Sequence, residues 1–472
     1  MIGLVVSRED SASVAIGEAL RDLAAWERHE DASRSDADGG GTYYRYRDFE
    51  LRALDEWHLE LDGVADAFSE PPEFVSFLSR HAGDTGPLLT AHFTGNFGPA
   101  EYGGSPSELA RACPNAQRTV VEAFDRHAPD GYEVGIEGTH HGPSDVGAPS
   151  LFVELGSSET EWDDPAGARA VARAVLELSG VAADAPASTA TGDRRHVVGF
   201  GGGHYAPQFE RILRETDWAV GHVAADWVLQ SMGAPEANAD VIDSAFERSS
   251  ATRALVVDDD PELEAVVDDL GYRVVDETWV RTTSGVDLDL VAALESRLST
   301  VDEGLRFGAS AEAVDSETLA ADVGDIDDTC KIVALPDDLL AEASGIDRDE
   351  TFEAVASRVV AFETREGGTK PRGRAAVTDR TAVDDVVDAL SWILESKYDA
   401  VRVDGDRVIA TRETFDPAAA AEAGVPEGPE FGRLSAGQPV EVDGVEVTPE
   451  EVTAEERVTF STARRDAHPE AR

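Results

Sequence analysis

Four times in the first 230 residues, a short apolar run gives way to glycine and histidine. Leu88–Thr90 leads into His92–Phe93–Thr94–Gly95–Asn96–Phe97–Gly98, and Tyr132–Ile136 into Glu137–Gly138–Thr139–His140–His141–Gly142–Pro143. His196–Phe200 leads into Gly201–Gly202–Gly203–His204–Tyr205, and a fourth run closes on Gly221–His222. Between them lie stretches with helical spacing: Ser107–His127 (Leu109, Val120, Val121, Phe124), Pro165–Leu178, and a helix opening near Pro207. Strand, glycine turn and amphipathic helix in alternation predict an α/β fold, a mixed sheet flanked by helices. Such sheets place ligands at the carboxyl ends of their strands. His92, His140, His141, His204 and His222, five of the eleven histidines, fall there, more than scatter would deliver.

The remaining chain fills in around that pattern. Residues 2–6 read as a buried first strand and 11–25 as a helix, followed by a polar loop at 31–41. Residues 49–51 and 58–61 read as strands, and 74–78 as an apolar run before a turn at 83–86. From about Asp258 the histidine-bearing loops stop. Strands at 272–275 and 331–335, helices at 352–362 and 383–394, a basic island GGTKPRGR at 367–374 and a hairpin at 441–447 are expected there. The domains expected are a catalytic α/β core over 1–257, an acidic α/β insertion or second domain over 258–412, and a terminal segment over 413–472 that returns to the core. Fraying is expected from about Ser461.

The chain carries 95 acidic and 40 basic residues, and Lys331, Lys370 and Lys397 are its only lysines. With 42% hydrophobic residues the acid is not a sign of disorder. Dispersed carboxylate with almost no lysine suits concentrated salt, where repulsion is screened within a few ångströms. Cys113 and Cys330 are isolated, which excludes a disulfide framework and a cysteine zinc site. Lacking a signal-like start and an apolar run of spanning length, the chain is expected to be soluble and cytoplasmic, with no membrane and no obligatory protein partner.

A His-His pair between Glu137 and Glu154 is either a metal site or an acid/base site. The glycines at 201–203 open the backbone to an anion, although this is not a GxGxxG fingerprint. Together, HFTGNFG at 92–98, EGTHHGPS at 137–144, FVELGSSETEW at 152–162 and GGGHYAP at 201–207 resemble the archaeal and plant type of D-aminoacyl-tRNA deacylase. GVPEGPEFGRL at 424–434 is similar to that family's C-terminal motif.

The resemblance implies a zinc enzyme, with one or two ions, that hydrolyses the ester of D-aminoacyl-tRNA and so proofreads mischarged tRNA. It also implies a fold similar to peptidyl-tRNA hydrolase and nucleoside phosphorylase sheets. His140, His141 and His204 are the leading ligand candidates, with Glu137 or Glu154 as general base or further ligand. His92 and His222 stand behind them for a second ion. Gly201, Gly202, Gly203, Tyr205 and Asn96 are expected to line the substrate, and Arg194, Arg195 and the Lys370–Arg374 island to contact phosphate. A zinc peptidase or amidohydrolase on a small substrate, and a non-catalytic RNA- or nucleoside-binding module, are the alternatives.

Overall fold

Residues 2–7 form a strand with every side chain buried, β1 (Ile2–Ser7), as an uninterrupted apolar run in a covered sheet requires. The computed structural model describes residues 1–189, 191–314 and 329–462. Around β1 assemble β2 (Glu27–Asp31), β3 (Gly41–Tyr46), β4 (Phe49–Leu54), β5 (Phe74–Ala82), β6 (Leu88–His92), β7 (Glu133–Ile136) and β8 (Ser150–Ser157). Their order is β2-β3-β4-β1-β5-β8-β6-β7. The centre is parallel, but β6 runs antiparallel to β8, so the sheet is mixed as expected. Helix α1 (Ser11–Leu23) starts where Asp10 accepts hydrogen bonds from the amides of Ala12 and Ser13.

Helix α2 (Pro114–His127) is shorter than its spacing predicted. Residues 107–113 are not helical; Pro114 takes the first-turn position that suits an imide nitrogen. The apolar residues before it are used differently: Leu109 bridges to Gly95 and is buried. Residues 58–60 are likewise a 3-10 turn, not a strand. Helices α3 (Glu159–Trp162) and α4 (Pro165–Leu176) follow β8.

The alternation then continues into a second sheet, where one sheet was expected. It comprises β9 (His196–Phe200), β10 (Ala219–Ala224), β11 (Arg253–Val256) and β12 (Arg273–Val275), all parallel, in the order β10-β9-β11-β12. Helices α5 (Pro207–Glu215), α6 (Asp226–Met232) and α7 (Ala239–Ser249) connect them. Phe97 and Leu109, from the loop after β6, are buried with Val198, Phe200 and Phe246 of this second layer. One apolar cluster thereby ties the two sheets together.

The chain divides into compact units at Ser284/Gly285. That is later than the expected 257/258, because β12 pairs with β11 and completes the second sheet. The second unit has a four-stranded antiparallel sheet (Leu305–Phe307, Ala361–Arg365, Lys370–Val377, Lys331–Ala334) and the helix Thr381–Leu394. Residues 352–362, expected as one helix, are the end of helix Arg348–Ala356 and the start of a strand at Ala361. The hairpin at 441–447 is present as Val440–Val442 paired with Val445–Val447. Thr453–Ser461 pairs along its whole length with Arg407–Phe415, which makes the terminal segment part of the second unit. The expected fraying falls, from residue 463 on, outside the described residues.

Candidate active site

Three neighbouring strands supply the floor. In a strand alternate residues share a face, and directly paired residues lie side by side. Phe77 pairs with Phe152, Ser79 with Glu154 and, on the other side of β8, His92 with Phe152. His81 therefore falls on the same face as Glu154, with its Nδ1 3.6 Å from Glu154 Oε2. His92 Nε2 lies 3.5 Å from Glu154 Oε1, and its ring stacks on Phe152 at 5.2 Å. The site thus occupies a sheet face, whereas the strand-end pattern placed it along one rim.

The loop after β7 brings the remaining groups over that face. Glu137 is buried, with Oε1 3.2 Å from His81 Nδ1 and Oε2 2.8 Å from His204 Nε2. The rings of His92 and His140 stack at 4.3 Å; His141 lies 4.3 Å and His204 4.8 Å from His140. Gly142 fixes the turn, since a Cβ there would meet Gly104 N at 2.3 Å, Gly103 C at 2.5 Å and Leu59 O at 2.6 Å. All three are backbone atoms, so nothing yields cheaply. Gly142→Ala is expected to cost about 1–3 kcal/mol of stability and, by shifting the paired imidazoles, about a hundredfold in activity. The urea midpoint and the turnover number check both; an unaltered pair would show that the turn has slack.

His204 arrives from the second sheet. Gly201 and Gly202 adopt φ of 94° and 81°, conformations open to glycine, and turn the chain back after β9. The amide of Gly138 donates to His204 O at 2.7 Å, and that of Thr139 to Val223 O at 2.7 Å. These two bonds stitch the loops of the two sheets together and set Glu137 against His204.

Each of the three close-packed rings is oriented by its own backbone. The Nδ1–H groups of His92, His140 and His141 donate to Phe93 O, Gly138 O and Gly142 O at 3.0, 2.9 and 2.7 Å. That tautomer leaves the Nε2 lone pairs free to bind. Burial, reinforced by the neighbouring His92, depresses His140 to about 4. Burial and the adjacent His140 hold His141 well below its ordinary value. Burial also disfavours charge on His81, but Glu137 and Glu154 outweigh it and push its pKa up to about 10. Burial would raise Glu137, yet His204 and His81 hold it well below the carboxylate range, and His81 with His92 lowers Glu154 against the same opposition.

This donor set fits a metal ion. Three groups have ligand atoms within 4.8 Å of one another: His92–His140–His141, Glu137–His140–His204 and His81–Glu137–Glu154. His92 Nε2 and Glu137 Oε1 are buried and make no well-formed hydrogen bond, with only Glu154 Oε1 at 3.5 Å and His81 Nδ1 at 3.2 Å nearby, a condition a coordinated cation relieves. Six of these seven residues, His81, Glu137, His140, His141, Glu154 and His204, line one cavity of ≈ 540 Å³.

Not every expected residue belongs here. His222 lies within β10 with both ring nitrogens engaged, Nδ1 with Thr139 Oγ1 at 3.0 Å and Nε2 with Ala110 O at 2.8 Å. It braces the loops and has no lone pair left for an ion. Asn96 donates to Gly103 O and Ser105 O, holding its own loop closed. The amides of Gly201 and Gly202 are committed to Ala224 O and Asp226 Oδ1. Arg194 and Arg195 precede β9, at the opposite end from its glycine turn; Arg194 donates to Ala185 O, and Arg195 pairs with Asp217 at 3.0 Å. In the second unit Lys370, Arg372 and Arg374 face Glu366, Asp337 and Glu363. Tyr205 does reach the site, its hydroxyl 3.3 Å from His81 Nε2.

A family model described as D-aminoacyl-tRNA deacylase matches residues 68–275, the stretch that contains every residue of the cluster. A D-aminoacyl-tRNA deacylase of Halorubrum lacusprofundi is 52% identical, over 98% of this chain and 96% of that protein. One of Natronomonas pharaonis is 51% identical over 96% and 98%. One of Methanoregula boonei is 31% identical over 96% of each, an alignment that runs through both units. A crystal structure described as a conserved protein of unknown function superposes with a TM-score of 0.52 at 27% identity, covering 60% of this chain and 96% of that one. With this agreement across nearly its whole length, the chain belongs to the D-aminoacyl-tRNA deacylase family.

Proposed function

We propose that the chain hydrolyses the ester joining a D-amino acid to the terminal ribose of tRNA, freeing the D-amino acid and clearing the mischarged tRNA. The observation that carries this reading is the convergence of five imidazoles and two carboxylates from two sheets, six of the seven lining one cavity. Ester hydrolysis needs a water, a group to take its proton, and positive field where the tetrahedral oxygen develops.

Glu154, bracketed by His81 and His92, is the carboxylate placed to accept the proton. His204 Nε2 and Glu137 Oε2 are hydrogen-bonded at 2.8 Å, and an ion would compete for the same lone pairs. The ion in this reading is zinc, one or two per chain, held by His140 with His92 and His141 or with His204 and Glu137. When bound it supplies Lewis-acid charge and brings a water to a pKa of about 7. No helix among the described residues is long and apolar enough to cross a membrane, and the reading places the work on tRNA in the cytoplasm.

The purified protein, incubated in molar salt with matched D- and L-aminoacyl-tRNA, is expected to release the D-amino acid selectively, and to stop after chelation. Equal loss of both forms would remove the chiral function. Hydrolysis of free D-amino acid esters at the same efficiency would favour a small-substrate hydrolase. tRNA binding with no metal and no turnover would leave a binding module.

A further inference from the structure

Arg80 is held by aromatic rings. Its guanidinium lies between the indoles of Trp57 and Trp162, 4.7 and 4.6 Å from their ring centroids. Between Ser79 and His81 its side chain leaves β5 on the face opposite to theirs, and it borders the same cavity as the His/Glu cluster, together with Trp57. In a chain with 95 carboxylates, none among the described residues pairs with it. Even Asp10, which borders the cavity beside it, accepts a hydrogen bond from the main-chain amide of Arg80 at 2.9 Å and not from its side chain. Arg45, Arg52, Arg111 and Arg374, by contrast, each pair with an acid.

An indole face holds a guanidinium by its flat side and leaves the N–H edge unspent. Two indoles fix its plane as well. A cation held in this way, with no carboxylate among the described residues in ion-pairing contact and bordering a catalytic cavity, suits an anion that arrives with the substrate. On the acyl side a D-amino acid ester offers a cationic amine. On the nucleotide side it offers phosphate, within one nucleotide of the scissile ester. We infer that Arg80, clamped by Trp57 and Trp162, binds the 5′-phosphate of the terminal nucleotide and so positions the ester over the His/Glu cluster. The inference rests on the deacylase reading and assigns it a phosphate subsite.

The test compares two small substrates, a 3′-O-D-aminoacyl-adenosine and its 5′-monophosphate, alongside D-aminoacyl-tRNA. Wild-type turnover of D-aminoacyl-tRNA first establishes the deacylase reading, and its absence would sink both. With turnover established, Arg80→Gln is expected to raise KM for the 5′-phosphorylated substrate and for tRNA by about tenfold or more. The unphosphorylated adenosine should keep its wild-type KM, and kcat should move little for any of the three. Arg80→Lys should recover part of the loss, only where phosphate is present. An equal loss on both small substrates, or no loss on either, would overturn the assignment. Direct binding of 5′-AMP against adenosine, weakened selectively by Arg80→Gln, reads the same subsite without turnover.

Discussion

Replacing His140 by alanine is expected to lower deacylation by about a thousandfold or more, several kcal/mol of transition-state stabilisation at about 1.4 kcal/mol per decade. His140 is the imidazole common to two of the three ligand groupings, His92–His140–His141 and Glu137–His140–His204. His141 enters only the first, so His141→Ala should retain more metal than His140→Ala. The fold should survive. The His140 side chain is 20% exposed, its one hydrogen bond runs to Gly138 O two residues away, and it supports no neighbouring strand. Single-turnover rates on D-aminoacyl-tRNA, metal content and far-ultraviolet circular dichroism decide the matter together. A folded, metal-loaded His140→Ala that turns over at the wild-type rate would remove the pair from the mechanism.

Where the sequence was legible, it was legible because chemistry and chain punctuation coincided. Clustered glycine and proline mark turns, so 137–143 and 201–207 are legible as turns and the histidines in them with them. The juxtaposition that mattered most, His140 against His204, is present at 4.8 Å.

His81 was missed for the opposite reason. The sequence shows only an apolar run over 74–78, but β5 runs to Ala82, and the polar residues Ser79, Arg80 and His81 are still in the ladder with β8. The alternation of Phe77, Ser79 and His81 on one face is the signal that would have found it. His222 misled because a histidine beside glycine looks like a strand end. Gly221 sits inside β10 because Ser249 packs where its side chain would be, 2.3 Å from a built Cβ. No local pattern reports that contact, nor the split into two sheets, because both depend on packing between distant segments.

The largest expected effect on stability lies away from the site, at Arg52. This side chain is 2% exposed and joins Glu50, Asp31 and the carbonyl of Gly39 at 2.7, 2.8 and 2.7 Å. It fastens the polar loop between β2 and β3 onto β4, the strand beside β1. Arg52→Met is expected to cost about 3–5 kcal/mol, because Glu50 stays buried without its main counter-charge. The figure belongs to the orphaned carboxylate more than to the pair. Desolvating both ions in the native protein is itself expensive, so the double variant Glu50→Leu with Arg52→Met should recover most of the loss. Salt should not rescue the single variant: molar potassium chloride screens exposed charges, while this pair is shielded from solvent. Amide exchange in β4, followed across a urea series at fixed high salt, gives the local free energy for all three proteins. If the double variant proved no more stable than Arg52→Met, the loss would come from missing packing on Tyr43, whose ring lies 4.3 Å from the guanidinium, and the orphaned-charge account would fall.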